Sequence, residues 1–217
     1  MNVKTTCRIT AFSAFFLAYF LSFYLPDWTS YENGPIEMAQ NLILLLAGLQ
    51  AIYYGIRARA PWRYLWLAAA PIWFICLGRE LSWGAVFLPP IKFSTSGPYY
   101  SSGVLPYKPF IAPAAGLLLL VSVGLFVRFR LWTVCFFVTQ CRQLPILEIV
   151  MAGIAVLLMT AAESHMGLSL QGYLGYGQIF EEMIELAAYL FLIAAQHRIR
   201  LVELYHWRGS SMSGKPA

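Results

Sequence analysis

The chain has 217 residues, of which 59% are hydrophobic and 12% charged, against about half and about a quarter in an ordinary soluble domain. That composition excludes a single water-soluble globule, because one small core cannot hide so much apolar surface and lipid must cover the rest. The net charge of +5 does not point to nucleic acid, since the basic residues sit at the ends of apolar runs, where they set membrane topology.

A bilayer core takes about 20 apolar residues in helical form, and six segments meet or approach that length. The first runs from Ile9 to Leu25 behind Lys4 and Arg8. It resembles a signal peptide in its charged start, but Ser22-Phe23-Tyr24-Leu25-Pro26 lacks the small-residue cleavage pattern, so the segment is read as a retained span. The second, Ile36 to Ile56, opens on Gly34-Pro35, a favourable helix start. The third runs from Tyr64 to Leu88 and stops at Pro89-Pro90. The loop that follows, to Lys108, is rich in Pro, Ser, Gly and Tyr. It carries Phe93, Tyr99, Tyr100 and Tyr107, residues suited to rest at a membrane surface.

The fourth span is Pro109 to Val127. After it, the apolar run Leu131 to Thr139 is too short to cross and reads as an interfacial helix or an extension of the fourth span. The fifth span runs from Pro145 to Glu163 and the sixth from Ile179 to Gln196. The small polar stretch from Gly209 reads as a disordered cytoplasmic tail. The four cysteines lack the spacing and neighbouring histidines of a zinc site.

Charge tests this parse. With the N-terminus in the cytoplasm, six spans leave Lys4, Arg8, Arg57, Arg59, Arg63, Arg128, Arg130, Arg142, Arg198, Arg200, Arg208 and Lys215 inside. Lys92 and Lys108 fall outside and Arg79 lies within the third span, which accounts for all 15 basic residues. Such an asymmetry is the positive-inside pattern, and one missed span would reverse every later loop. The expected fold class is therefore all-α: a polytopic membrane protein of six transmembrane helices with N- and C-termini cytoplasmic. Residues 1–208 form one transmembrane domain and 209–217 a tail, and the short loops suit a bacterial inner membrane.

Eight of the ten acidic residues gather at the outer level of this topology: Asp27, Glu32, Glu37, Glu80, Glu163, Glu181, Glu182 and Glu185. Carboxylates in that setting are costly and mark functional sites. The third span carries Arg79, Glu80 and Trp83. Arg79 is roughly 13 Å deep at 1.5 Å per residue. Neighbouring helical side chains diverge by about 100°, so Arg79 and Glu80 each need a partner on another helix. Trp83, one turn on, is placed for a cation–π contact with Arg79.

In the sixth span Glu181 and Glu182 suit a helix N-terminus, which leaves Glu185 unexplained. Glu182 and Glu185 sharing a dry site would hold a proton. In the second span Glu37 and Asn41 share a face, with Gln40 and Gln50 nearby. Glu163 and His165 end the fifth span. One histidine among glutamates is not a zinc pattern, so no metal is assigned, although Glu163, His165 and Glu182 leave the question open. No cofactor motif is visible. Glu148 has Arg142 and Arg130 as local ion-pair partners.

The expected ligand-binding set is Arg79, Glu80, Trp83, Glu185, Glu182, Glu163, Glu37 and Asn41. Three functions fit it: a carrier binding a proton or cation with a small solute, an enzyme acting on a lipid or lipid-linked substrate at the outer leaflet, or a non-catalytic subunit paired with another membrane protein. Membrane lipid is a partner in every case. Against the carrier, the inner half of the spans shows no matching polar set.

Overall fold

The computed structural model describes residues 3–94, 97–141, 143–162 and 173–213, with side chains described from residue 5 to residue 205 of these segments. Glu163 and His165 lie outside the described residues. Among the described residues seven α-helices dominate: α1 (Val3–Tyr24), α2 (Pro35–Arg57), α3 (Trp62–Glu80), α4 (Lys108–Arg128), α5 (Trp132–Gln140), α6 (Ile146–Ala162) and α7 (Gly177–Ser213). Proline in the first turn of α2 and α4 fixes a helical φ where no backbone donor is needed.

Helix α7 is the hub. It packs against α1, α6 and α2, while α3 leans on α2 and α4 leans on α3. Contacts fix the directions. The start of α3, α5 and the C-terminal part of α7 share one apolar cluster around Trp62, Trp66, Leu131 and Val202. The end of α3 meets the start of α7 at the opposite level. Three helices are long and apolar enough to cross a membrane: Thr5–Tyr24, Asp27–Arg57 and Lys108–Arg128. The apolar α6, of 17 residues, is shorter. In α4 only Ser122 is buried. Leu120, Val123 and Phe126 all face outward, a surface stable only against another apolar phase.

The third helix departs from expectation. It ends at Glu80, and a 3₁₀ segment follows over Ser82–Phe87. Ser82, Trp83 and Gly84 take positive φ of 43°, 57° and 100°, which no α-helix accommodates. Glycine makes the turn affordable at 84, and the Tyr107 hydroxyl lies 2.9 Å from where a Cβ would stand. That hydroxyl also donates to the Trp83 carbonyl at 2.9 Å.

The loop after it is more ordered than a surface-lying coil. Strands β1 (Lys92–Ser94) and β2 (Gly97–Tyr99) pair antiparallel, with Lys92 opposite Tyr99 and Ser94 opposite Gly97. The hairpin closes on the loop between α1 and α2: Gly97 abuts the Tyr31 ring, and Glu32 Oε2 accepts the Tyr100 N–H at 2.5 Å.

The short apolar run after α4 is a separate helix. Arg130 (φ 48°) breaks the chain direction. Leu131, Val134 and Val138 then bury one face of α5 against Trp62 and Trp66, and Trp132 and Phe136 point away. Helix α7 runs far beyond Gln196, and its assigned end at Ser213 lies past Gly209, where a disordered tail was expected.

Candidate functional site

Three helix ends meet at one level. Helix α3 delivers Arg79 and Glu80 in its last turn, α7 delivers Glu182 and Glu185 in its first nine residues, and α2 delivers Glu37, Gln40 and Asn41 near its start. Arg79 Nη2 lies 3.1 Å from Glu185 Oε1. Arg79 Nε lies 3.6 Å from Glu80 Oε1. Each of these neighbours has its hydrogen-bond partner on α7, as expected, and their direct contact is longer than a hydrogen bond.

Tyr189, one turn along α7 from Glu185, completes the group. Its hydroxyl lies 3.0 Å from Glu80 Oε1 and 2.9 Å from Glu185 Oε1. The Glu80 and Glu185 side chains are 8% and 9% exposed, and that of Arg79 is 62% exposed. The guanidinium therefore forms a lid over two buried carboxylates.

A second group lies beside it. Gln40 is fully buried and its Nε2 donates to the Glu182 carbonyl at 2.8 Å and to Glu182 Oε2 at 2.9 Å. Gln40 Oε1 and Asn41 Oδ1 are buried without a hydrogen-bond partner among the described residues. Glu37 turns back and accepts the Asn33 N–H at the entrance to its own helix, as an N-terminal carboxylate can. Trp83 is also displaced from its expected place: the backbone turn lays its ring on Gly78 rather than over Arg79. Outside the helices, burial pushes the Glu32 carboxyl above its usual range, and the Tyr100 N–H partly opposes the shift.

The half of the helices away from Arg79 also carries polar side chains, so the polar set is not confined to one level, contrary to expectation. Gln196 Oε1 accepts the Trp73 indole N–H at 2.8 Å, and its Nε2 donates to Gln50 Oε1 at 3.0 Å. His197 lies within 3.4 Å of Gln50 and 3.3 Å of Tyr54. Farther along, Glu203 takes the Trp66 indole N–H at 2.7 Å and pairs with Arg200 at 2.5 Å. Glu148, fully buried at the start of α6, pairs with Arg8 at 2.8 Å and Arg198 at 3.4 Å; Arg142, one of its expected partners, lies outside the described residues. Residues 182, 185, 189, 196, 200 and 203 thus form one polar stripe along α7. An apolar layer around Leu44, Ala47, Trp73 and Ile193 interrupts it between Tyr189 and Gln196.

The structure thus brings Arg79, Glu80 and Glu185 together and sets Glu182 against Gln40. Tyr189 and Gln40 were not in the sequence-derived set, and their signal was spacing: Tyr189 is four residues from Glu185, on the same helical face. Among the described residues, no group of three or more His, Cys, Asp or Glu side chains is placed to hold a metal ion. Fold and site together describe a mostly helical protein with helices able to cross a membrane and a carboxylate-rich centre where α2, α3 and α7 meet. Comparison with family models, curated proteins and solved structures gives no match.

Proposed function

We propose that the chain is a six-span membrane protein with both termini cytoplasmic, of the bacterial inner-membrane type. In this reading it is a carrier that binds a proton or small cation between Glu80 and Glu185, in the outer half, together with a small solute. The alternating helix directions support six spans, as does the placement of Arg8, Arg198 and Arg200 at the level opposite Arg79.

One observation carries the binding reading: the Tyr189 hydroxyl lies within hydrogen-bond distance of both carboxylates. A hydroxyl has one proton to give. Arg79 supplies one positive charge to two negative ones, and buried charge without compensation is expensive. A bound proton or cation satisfies both deficits. The apolar layer between Tyr189 and the Gln196 group favours a carrier over a scaffold, because it separates two polar compartments that a conformational change could join in turn.

The test is a pair of titrations of purified protein. Thermal stability is measured against pH and against added sodium or potassium, and infrared spectra are searched for the carbonyl stretch of a protonated carboxyl. Wild type is expected to respond to proton or to cation, and the Glu80→Gln/Glu185→Gln variant to respond to neither. Equal responses from the two proteins would overturn the reading. A proton-only response with the carboxyl band identifies the proton as the ligand.

A further inference from the structure

Helices α3 and α7 are joined at three heights yet barely approach each other directly between them. At the outer level the Arg79–Glu185 and Tyr189–Glu80 contacts bridge them. Midway Trp73 bonds Gln196, and near the inner end Trp66 bonds Glu203. Helix α2 packs against both and forms the back wall. In front of these bridges lies a groove of about 250 Å³.

One wall of the groove is Ala69, Ile72 and Cys76 of α3, and the other is Leu192 and Ala195 of α7. Ile72 and Leu192 are exposed at its lips, so the groove faces the hydrocarbon region in the six-span reading. It stretches from Leu65 to Cys76, about 16 Å at 1.5 Å per residue.

The groove offers nothing to a polar solute. Its one amide, Gln196, is spent on Trp73, Gln50 and the Ala47 carbonyl, and Trp73 spends its single donor on Gln196. At the outer end the chemistry changes abruptly. Cys76 is three residues from Arg79, and so on nearly the same face one turn up. Arg79 turns Nε toward Glu80 and Nη2 toward Glu185, and its side chain stays 62% exposed, so part of its five-donor fork faces outward. A guanidinium with outward-facing donors at the mouth of an apolar slot matches a phosphate oxygen attached to a hydrocarbon chain.

We propose that this groove seats one acyl chain of a membrane phospholipid, entering sideways from the bilayer, with a headgroup phosphate oxygen held on the outward face of Arg79. The proposal rests on the membrane-spanning reading above and names the substrate class of the same site. It does not require the proton or cation at Glu80 and Glu185.

The experiment uses the full chain, purified in mild detergent and stripped of lipid, with phosphatidylglycerol as probe and native mass spectrometry as readout. Wild type is expected to retain one lipid per chain. Ile72→Trp and Leu192→Trp, on opposite exposed lips, are expected to weaken retention by about tenfold or more. Arg79→Gln should weaken it about tenfold, with partial recovery in Arg79→Lys. Melting temperatures near that of wild type qualify each variant, and the two lip positions serve as independent checks if one fails to fold.

Equal retention in both tryptophan variants would overturn the groove, as would displacement of the lipid by inorganic phosphate alone. If lipid retention fails while the Glu80/Glu185 response persists, only this proposal falls. If retention holds while that response is absent, only the proton or cation reading falls.

Discussion

Tyr189→Phe removes a single oxygen from the centre of the site. The ring is 7% exposed, so phenylalanine fills the same space and the packing around Leu44 and Trp73 is kept. What is lost is a hydroxyl at 3.0 Å from one carboxylate and 2.9 Å from another. A hydrogen bond to a charged group contributes about 1.5–3 kcal/mol, and one proton serves one carboxylate at a time, so the expected loss is about 2 kcal/mol rather than twice that. For a chain of this size, 1 kcal/mol moves the melting temperature by roughly 2–4 °C, giving an expected drop of about 4–8 °C. Thermal unfolding in detergent measures it. The control is Tyr53→Phe at an exposed position, where the ring that faces Arg57 at 5.6 Å is retained. A Tyr189→Phe melt within about 1 °C of wild type would refute a bridging hydroxyl.

Glu148→Gln leaves Arg8 and Arg198 without their carboxylate at a fully buried position and should cost about 3 kcal/mol. Arg8→Gln should cost less, because Arg198 still pairs with Glu148, and unfolding curves showing equal costs would contradict this. Gly78→Ala drives a methyl into the Trp83 ring, where a Cβ would stand 2.8 Å from the nearest ring atom. It should lose about 1–3 kcal/mol, and strict additivity with Trp83→Ala in a double-mutant cycle would argue against the contact. Glu32 titrates above its usual range through burial, so the folded state favours the neutral carboxyl. That contribution to stability is present in acid and fades as pH rises through the folded value. Glu32→Gln stays neutral and still accepts the Tyr100 N–H, so amide-exchange protection of the 92–99 hairpin should lose its pH dependence, and an unchanged profile would count against the assignment.

Much of the architecture was legible because two signals agreed. Apolar runs near bilayer length marked α1, α2, α4 and α6, and the basic residues marked one side. The end of α3 was not legible from hydropathy, because Leu81 to Leu88 is as apolar as a span. What stops the helix is backbone conformation at Ser82, Trp83 and Gly84, sustained by a hydroxyl from Tyr107, 23 residues beyond Gly84. A helix drawn through that stretch placed Trp83 one turn from Arg79, whereas the turn lays its ring on Gly78. Two partners of Glu148 were hidden because they are distant in sequence: packing of α1 and α6 on α7 brings Arg8 and Arg198 to it.

The site itself was half legible, and the division is physical. Charged residues in apolar runs are conspicuous because their burial is costly, so Arg79, Glu80 and Glu185 stood out singly. Tyr189, Gln196 and Gln50 did not, because one tyrosine or amide in a helix is tolerated wherever it finds a partner. They acquire meaning only from register. Positions 182, 185, 189, 196, 200 and 203 repeat at three, four and seven residues, so they fall on one face of α7. That face looks at α2 and α3, which carry Gln40, Gln50, Trp66, Trp73, Arg79 and Glu80. Read as a stripe rather than as separate charges, α7 has a carboxylate centre with excess negative charge near its start and, toward its other end, a level where Arg8, Arg198 and Arg200 outnumber Glu148 and Glu203. Between them, about seven residues or 10 Å of helix carry no polar side chain on that face. In the carrier reading proposed above, a proton or cation held at Glu80 and Glu185 therefore meets an apolar barrier before any acceptor farther along α7. The next group it could reach is the Gln196–His197 level, and only if α7 shifts against α2 and α3.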